Sequence, residues 1–117
     1  MSKLKHYETM FIIKPTLTEE ETVAQIDAVK ALIEKNNGEI VSCEDMGSRP
    51  LSYEIEKHKR GYYFVIYFKG EPASLKEIER NYRISENIIR FIFIKYDSKK
   101  EITAWTKLSD AAAKKAN

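Results

Sequence analysis

Cationic and aromatic side chains meet in one short stretch. Lys57-His58-Lys59-Arg60 runs directly into Gly61-Tyr62-Tyr63-Phe64-Val65-Ile66-Tyr67-Phe68. Clustered ammonium and guanidinium groups suit phosphate oxygens, and exposed aromatic rings suit stacking on nucleobases. A solvated hairpin tip accounts for the four basic residues equally simply. Arg49, Arg80, Arg83 and Arg90 add positive charge elsewhere, although Arg80 has glutamates close by with which to pair. Catalytic chemistry finds little to work with. Cys43 has no evident histidine partner, His6 and His58 lie far apart in the chain, and neither metal-ligand spacing nor a phosphate-cradling glycine loop occurs. The expectation is a binding protein with no catalytic residue, no metal, no cofactor and no small-molecule substrate.

The elements that must position these residues are legible from periodicity. Tyr7 to Lys14 reads as a strand closed by Pro15. Thr18-Glu19-Glu20-Glu21 forms a capping box, and Val23, Ile26, Val29, Leu32 and Ile33 follow at helical spacing up to Asn36-Asn37-Gly38. Gly38 is the expected left-handed C-cap. Glu39 to Met46 and Leu51 to Ile55 read as a second strand, interrupted at Gly47-Ser48-Arg49-Pro50 by an edge bulge. Residues 56–61 read as a polar loop leading into the third strand. Apolar on both faces, that strand belongs in the middle of a sheet. Ser74 and Glu77 offer a second capping box for a helix lined by Leu75, Ile78 and Tyr82, and Asn87 to Tyr96 is the fourth strand.

The order β-α-β-β-α-β, with right-handed crossovers, gives an α+β fold: a ferredoxin-like plait, one four-stranded antiparallel sheet with both helices on one face. Alternation assigns Tyr7, Thr9, Phe11, Ile13, Tyr62, Phe64, Ile66, Phe68, Ile89, Phe91 and Phe93 to the helix-covered face. Met10, Ile12, Tyr63, Val65, Tyr67, Arg90, Ile92 and Ile94 are left on the other. An apolar surface of that size calls for a partner, or for cover by the chain's own tail or a second copy. Arg60 to Tyr67 nearly matches the RNA-recognition-motif pattern K/R-G-F/Y-G/A-F-V-x-F/Y, on the third strand of a suitable topology. Stacking would then fall to Tyr62, Phe64 and Phe11, yet the face assignment buries all three, and Tyr63 fills the small-residue position. A stand-alone single-stranded RNA-binding module is the alternative reading. A regulatory plait that dimerises through its open face is a third.

The totals agree with one domain and a tail. The 117 residues are 43% hydrophobic and 32% charged, enough for one core. No run approaches the roughly 18 apolar residues of a membrane span, and Met1-Ser2-Lys3-Leu4-Lys5-His6 has no leader-like apolar region. A single cysteine suits a reducing cytoplasm. Residues 1–97 hold 15 Lys and Arg against 16 Asp and Glu, whereas 98–117 hold 5 against 2. A nearly neutral domain, 1–97, thus carries a basic tail, 98–117, expected to be mobile or ordered by a partner, with Trp105 as a sticky point.

Several segments are similar to one family. Tyr7-Glu8, Gly38, Met46-Gly47-Ser48-Arg49-Pro50-Leu51-Ser52-Tyr53-Glu54-Ile55, Lys57, Gly61-Tyr62-Tyr63 and Arg83-Ile84-Ser85-Glu86-Asn87-Ile88-Ile89-Arg90 resemble the bacterial small-subunit ribosomal protein S-six family. The G-x-R-x-L-x-Y-x-I-x-K stretch at 47–57 is the most specific part, and the likeness runs from about residue 6 to 97. The resemblance implies a non-enzymatic, cytoplasmic ribosomal protein with the ferredoxin-like plait. It further implies a heterodimer with small-subunit ribosomal protein eighteen, bound to ribosomal RNA in the central domain (the platform). Arg49, Lys57, Arg60 and Arg90 would lie near RNA or partner, with Lys59, Tyr63 and Arg83 beside them. The edge strand 47–55 and the basic tail are candidates for the protein contact. The tail inherits nothing, and Pro50, where basic residues often occur in the family, departs from its pattern.

Overall fold

A computed structural model describes residues 4–116. Met1 to Lys3, part of the stretch read as lacking a leader, and Asn117 at the end of the tail lie outside the described residues. The elements are β1 (Lys5–Ile13), α1 (Glu19–Lys35), β2 (Glu39–Ile55), β3 (His58–Gly70), α2 (Leu75–Ile84), β4 (Ile88–Tyr96) and α3 (Lys99–Ala116). All strand pairs are antiparallel, in the order β2-β3-β1-β4. The double-sided apolar strand is therefore central, and the fold is the ferredoxin-like plait.

One face of the sheet packs on α1 and α2. Tyr7, Phe11, Ile13, Phe64, Ile66 and Phe68 from the strands meet Ile26, Val29, Ile33, Ile78 and Tyr82 from the helices. The rings touch edge to face or stacked, as in Phe11–Tyr82 at 5.6 Å and Tyr82–Phe93 at 5.2 Å between centroids. The buried hydroxyl of Tyr82 is held 3.1 Å from Thr9 Oγ1, so the core's polar atoms there are mutually satisfied.

Local details depart from the pattern where backbone geometry intervenes. On α1 the buried stripe is Thr22, Ile26, Val29 and Ile33, and Val23 is exposed. The Thr18–Glu21 capping box forms in both directions. At the other end Asn37, not Gly38, takes the left-handed conformation (φ 65°). Its N–H bonds Glu34 O while Gly38 N–H bonds Ile33 O, a Schellman motif with asparagine at its turning point. Gly38 is needed for space instead, because a Cβ there would lie 2.5 Å from Ile33 Cγ2. The Ser74–Glu77 box does not form, since Pro72–Ser74 is a 3₁₀ turn in which Ser74 is already helical. In β4 a bulge shifts the register between Ile12 and Ile13, so Ile88 rather than Ile89 enters the core. Bulges near Val41 and Met46 likewise rephase β2, the second with Gly47 at φ 73°.

The tail is the largest departure. Residues 99–116 form a helix, α3, which crosses the second face of the sheet. Ser98 and Glu101 make a reciprocal capping box at its start (Glu101 N–H to Ser98 Oγ 3.1 Å, Ser98 N–H to Glu101 Oε1 3.0 Å). Trp105, 3% exposed, packs with Val65 and Tyr67. Its indole N–H donates to Tyr7 O at 2.8 Å.

Candidate nucleic-acid interface

The β2–β3 hairpin carries Arg49, Lys57, Lys59 and Arg60, and its turn is tighter than a loop. Ile55 pairs with His58, leaving only Glu56 and Lys57 to reverse the chain, at φ 50° and 69°. Two left-handed residues in succession make a primed hairpin turn, whose twist suits the flanking strands but which favours Asn-Gly over Glu-Lys. Lys57 is thus held at the tip, and Lys59 and Arg60 belong to β3, pointing to opposite faces. Arg60 reaches across to the edge strand, with Nε 3.3 Å from Ser48 Oγ and Nη2 3.2 Å from Ser48 O. Arg49 Nε donates to Met46 O at 3.1 Å. Both guanidinium groups are exposed and lean on the backbone around the Gly47 bulge, so each keeps donors free for an outside acceptor.

Arg90, Ile12, Tyr63 and Gly47 stand opposite one another across all four strands. The Arg90 guanidinium lies over the Tyr53 ring, 5.7 Å from its centroid, a cation–π contact that limits the arginine's freedom. Arg83 on α2 pairs with Glu79 at 2.6 Å. Arg83 and Arg90 line one cleft of about 320 Å³ with Glu56 and Glu86. Arg49 lines a different cleft, of about 430 Å³, with Met46, Ala112 and Lys115 along the outer edge of β2. The Arg83–Arg90 cleft thus adjoins the hairpin tip through Glu56 and Tyr53, while Arg49 lines a separate cleft on the outer side of β2. The seven residues singled out from the sequence do not converge on one groove.

The stacking platform of an RNA-recognition motif is not accessible. Phe11 is 0% and Phe64 5% exposed, both beneath α1 and α2. Tyr62 is half-buried and its hydroxyl donates to Asp45 at 2.6 Å. Burial and then this hydrogen bond push the phenol up to about 12. On the other face, α3 covers Val65 and Tyr67, and Ile12 is buried. Ile92 and Ile94 on β4 remain 42% and 38% exposed. The chain's own tail therefore closes the part of that surface around Met10, Val65 and Tyr67 and leaves the β4 side open.

Sequence reasoning missed α3 as an element, and two signals point to it. One is S-x-x-E at 98–101. The other is Trp105, Ser109 and Ala112 at helical spacing, a stripe easily overlooked because two of its three residues are small. Ser109 is fixed by its contact with Ser42, whose Oγ donates to Ser109 O at 2.8 Å.

Fold and surface together define a ferredoxin-like plait whose singled-out cations are exposed and whose aromatic strands serve as core. The family model described as ribosomal protein S6 matches residues 6–95. Small ribosomal subunit protein bS6 of Helicobacter acinonychis is 60% identical over 96% of this chain and 79% of its own length. The Helicobacter hepaticus protein of the same description is 61% identical over 96% and 82%. The crystal structure of 30S ribosomal protein S6 from Thermotoga maritima superposes with a TM-score of 0.80 at 36% identity, covering 92% of this chain and 99% of that one. The chain belongs to the ribosomal protein S6 family. Members are structural components of the small ribosomal subunit, which places this protein in the bacterial ribosome and in translation.

Proposed function

We propose that this chain binds ribosomal RNA of the small subunit's central domain as a heterodimer with small-subunit ribosomal protein eighteen, scaffolding assembly of the platform. The observation that carries the reading is the division of the cations. Arg49 sits on the outer edge of β2, while Arg83 and Arg90 at the α2–β4 corner adjoin the hairpin tip that carries Lys57 and Lys59. Each group can meet one or two phosphates, and none forms a continuous track. With a net charge of −1 over residues 1–97, the domain needs a basic partner to hold RNA firmly. In this reading Arg49, Lys57, Lys59, Arg60, Arg83 and Arg90 contact phosphate or the partner. Tyr63, between Ile12 and Gly47 in the Arg90 row, supplies an apolar body with a hydroxyl at the same surface.

The test is a binding titration of central-domain RNA with this chain, with protein eighteen, and with both together. Weak binding by the chain alone and tight binding by the pair are expected. Tight, sequence-specific binding by the chain alone would remove the need for the partner. Arg90→Gln should then weaken the pair across RNA sequences and lower the slope of log K against log salt by about one.

A further inference from the structure

The sequence shows the tail only as basic, whereas the structure shows how its charge is arranged. The side of α3 facing the sheet is Trp105, Ser109 and Ala112, all buried. Lys100, Lys107 and Lys114 follow a seven-residue interval, and all three are exposed. At 100° per residue they lie within roughly 40° of one another and on the side of the helix directly opposite the buried stripe. Successive lysines are about 10 Å apart along the axis, so the row extends for about 20 Å. Ala104 and Ala111, both exposed and small, lie beside them and leave room for a backbone to approach.

The remaining charges of α3 are engaged or set to the side. Glu101 is occupied by the capping box, and Lys115 pairs with Glu44 at 2.7 Å. Asp110, three residues after Lys107 and four before Lys114, flanks the row on the same side as Lys99 but reaches neither lysine within salt-bridge distance. Among the described residues no carboxylate lies within salt-bridge distance of Lys100, Lys107 or Lys114. Three unpaired lysines in line, on a helix anchored by a buried tryptophan, make a rigid cationic ridge on an otherwise nearly neutral protein.

We infer that the outer face of α3 is an RNA-backbone contact surface, on which Lys100, Lys107 and Lys114 each neutralise a phosphate. The regular spacing and lack of acidic partners fit a polyanion with repeating charge better than the irregular carboxylates of a protein surface. The inference rests on the RNA-binding reading above and adds to it a surface outside residues 6–95. It also makes α3's attachment to the sheet functional, because docking aims the ridge away from the molecule.

The experiment uses the full chain with protein eighteen and transcribed central-domain RNA as probe. It compares the native sequence with a K100Q/K107Q/K114Q variant across a salt series. A control variant, K35Q/K76Q, removes charge from α1 and α2. Glutamine keeps helix propensity, and circular dichroism with Trp105 fluorescence verifies that α3 stays docked. The expected result is a loss of roughly tenfold to a hundredfold in affinity near physiological salt and a log–log slope shallower by about two to three, with little change in the control. Unchanged affinity and slope in the triple variant overturn the ridge and leave the heterodimer reading standing. Loss of affinity for protein eighteen, with RNA contacts unaffected, assigns the ridge to protein and also overturns it. Failure of the native pair to bind the RNA brings down both readings.

Discussion

The two faces of the same sheet are closed by different means. Against α1 and α2, strands present Tyr7, Phe11, Phe64 and Phe68 to the helix residues Ile26, Ile33, Ile78 and Tyr82, a continuous apolar layer. Against α3 the buried cluster is Val65, Tyr67, Trp105 and Ala112, supplemented by hydrogen bonds from Trp105 and Ser42. The first face is stabilised by area, which is non-directional and tolerant of small shifts. The second depends on one large anchor and a few directional contacts. Its loss should therefore be local, whereas loss on the first face should reach the whole domain.

Phe64→Ala tests that contrast most severely. Removing a ring at the centre of the helix-covered face should cost about 3–5 kcal/mol, seen as a lower urea midpoint for the entire domain. A variant that kept its stability and lost only RNA affinity would reinstate the stacking platform. Trp105→Ala should cost up to a similar amount, about 3–5 kcal/mol, but differently. Hydrogen exchange should accelerate throughout α3 while amides of β1 and β3 stay protected. Uniform acceleration would show instead that both faces unfold as one unit.

The hairpin gives a change of opposite sign. Replacing Glu56-Lys57 by Asn-Gly places residues suited to φ 50° and 69° in the turn and should stabilise by about 1 kcal/mol. Thermal denaturation checks it, and destabilisation would mean that Lys57 makes contacts worth more than the turn strain.

The smallest effect concerns His6, whose ring meets Trp105 edge to face at 4.7 Å between centroids. Burial first, then the nearby Lys69, hold its pKa below the ordinary 6.5. The unfolded chain therefore binds the proton more readily. The stability from neutral His6 is complete above about pH 6.5 and declines as pH falls through that value toward the lowered folded pKa. Fluorescence of Trp105 should report a slight loosening of α3 over that interval, abolished in His6→Gln. An identical titration in that variant would trace the effect to another group.

Much of this was determined by the sequence alone. Period-two and helical patterns, the Thr18–Glu21 box and the central aromatic strand are local signals, and they specify βαββαβ and the face each strand buries. The segment around Gly47 to Lys57 carries the family likeness, and the exposed cations are evident in it. What local pattern leaves open is wherever two neighbours compete for one place. Ile88 or Ile89 could fill the core, and only pairing with β1 and its bulge decides for Ile88. Asn37 or Gly38 could take the left-handed turn, and the contact of Gly38 with Ile33 settles it. Arg49 stands apart from Arg83 and Arg90 because β2 lies at one edge of the sheet and β4 at the other, whereas the hairpin end of β2 reaches Arg90 through Tyr53. The fate of the tail is the clearest case. Trp105, Ser109 and Ala112 form no strong apolar stripe by themselves, and an isolated helix of that length is marginal in water. Once the sheet presents Val65, Tyr67 and Ser42 on its uncovered side, the indole of Trp105 and the small Ser109 and Ala112 become the ones that fit, and the lysines are turned outward by default.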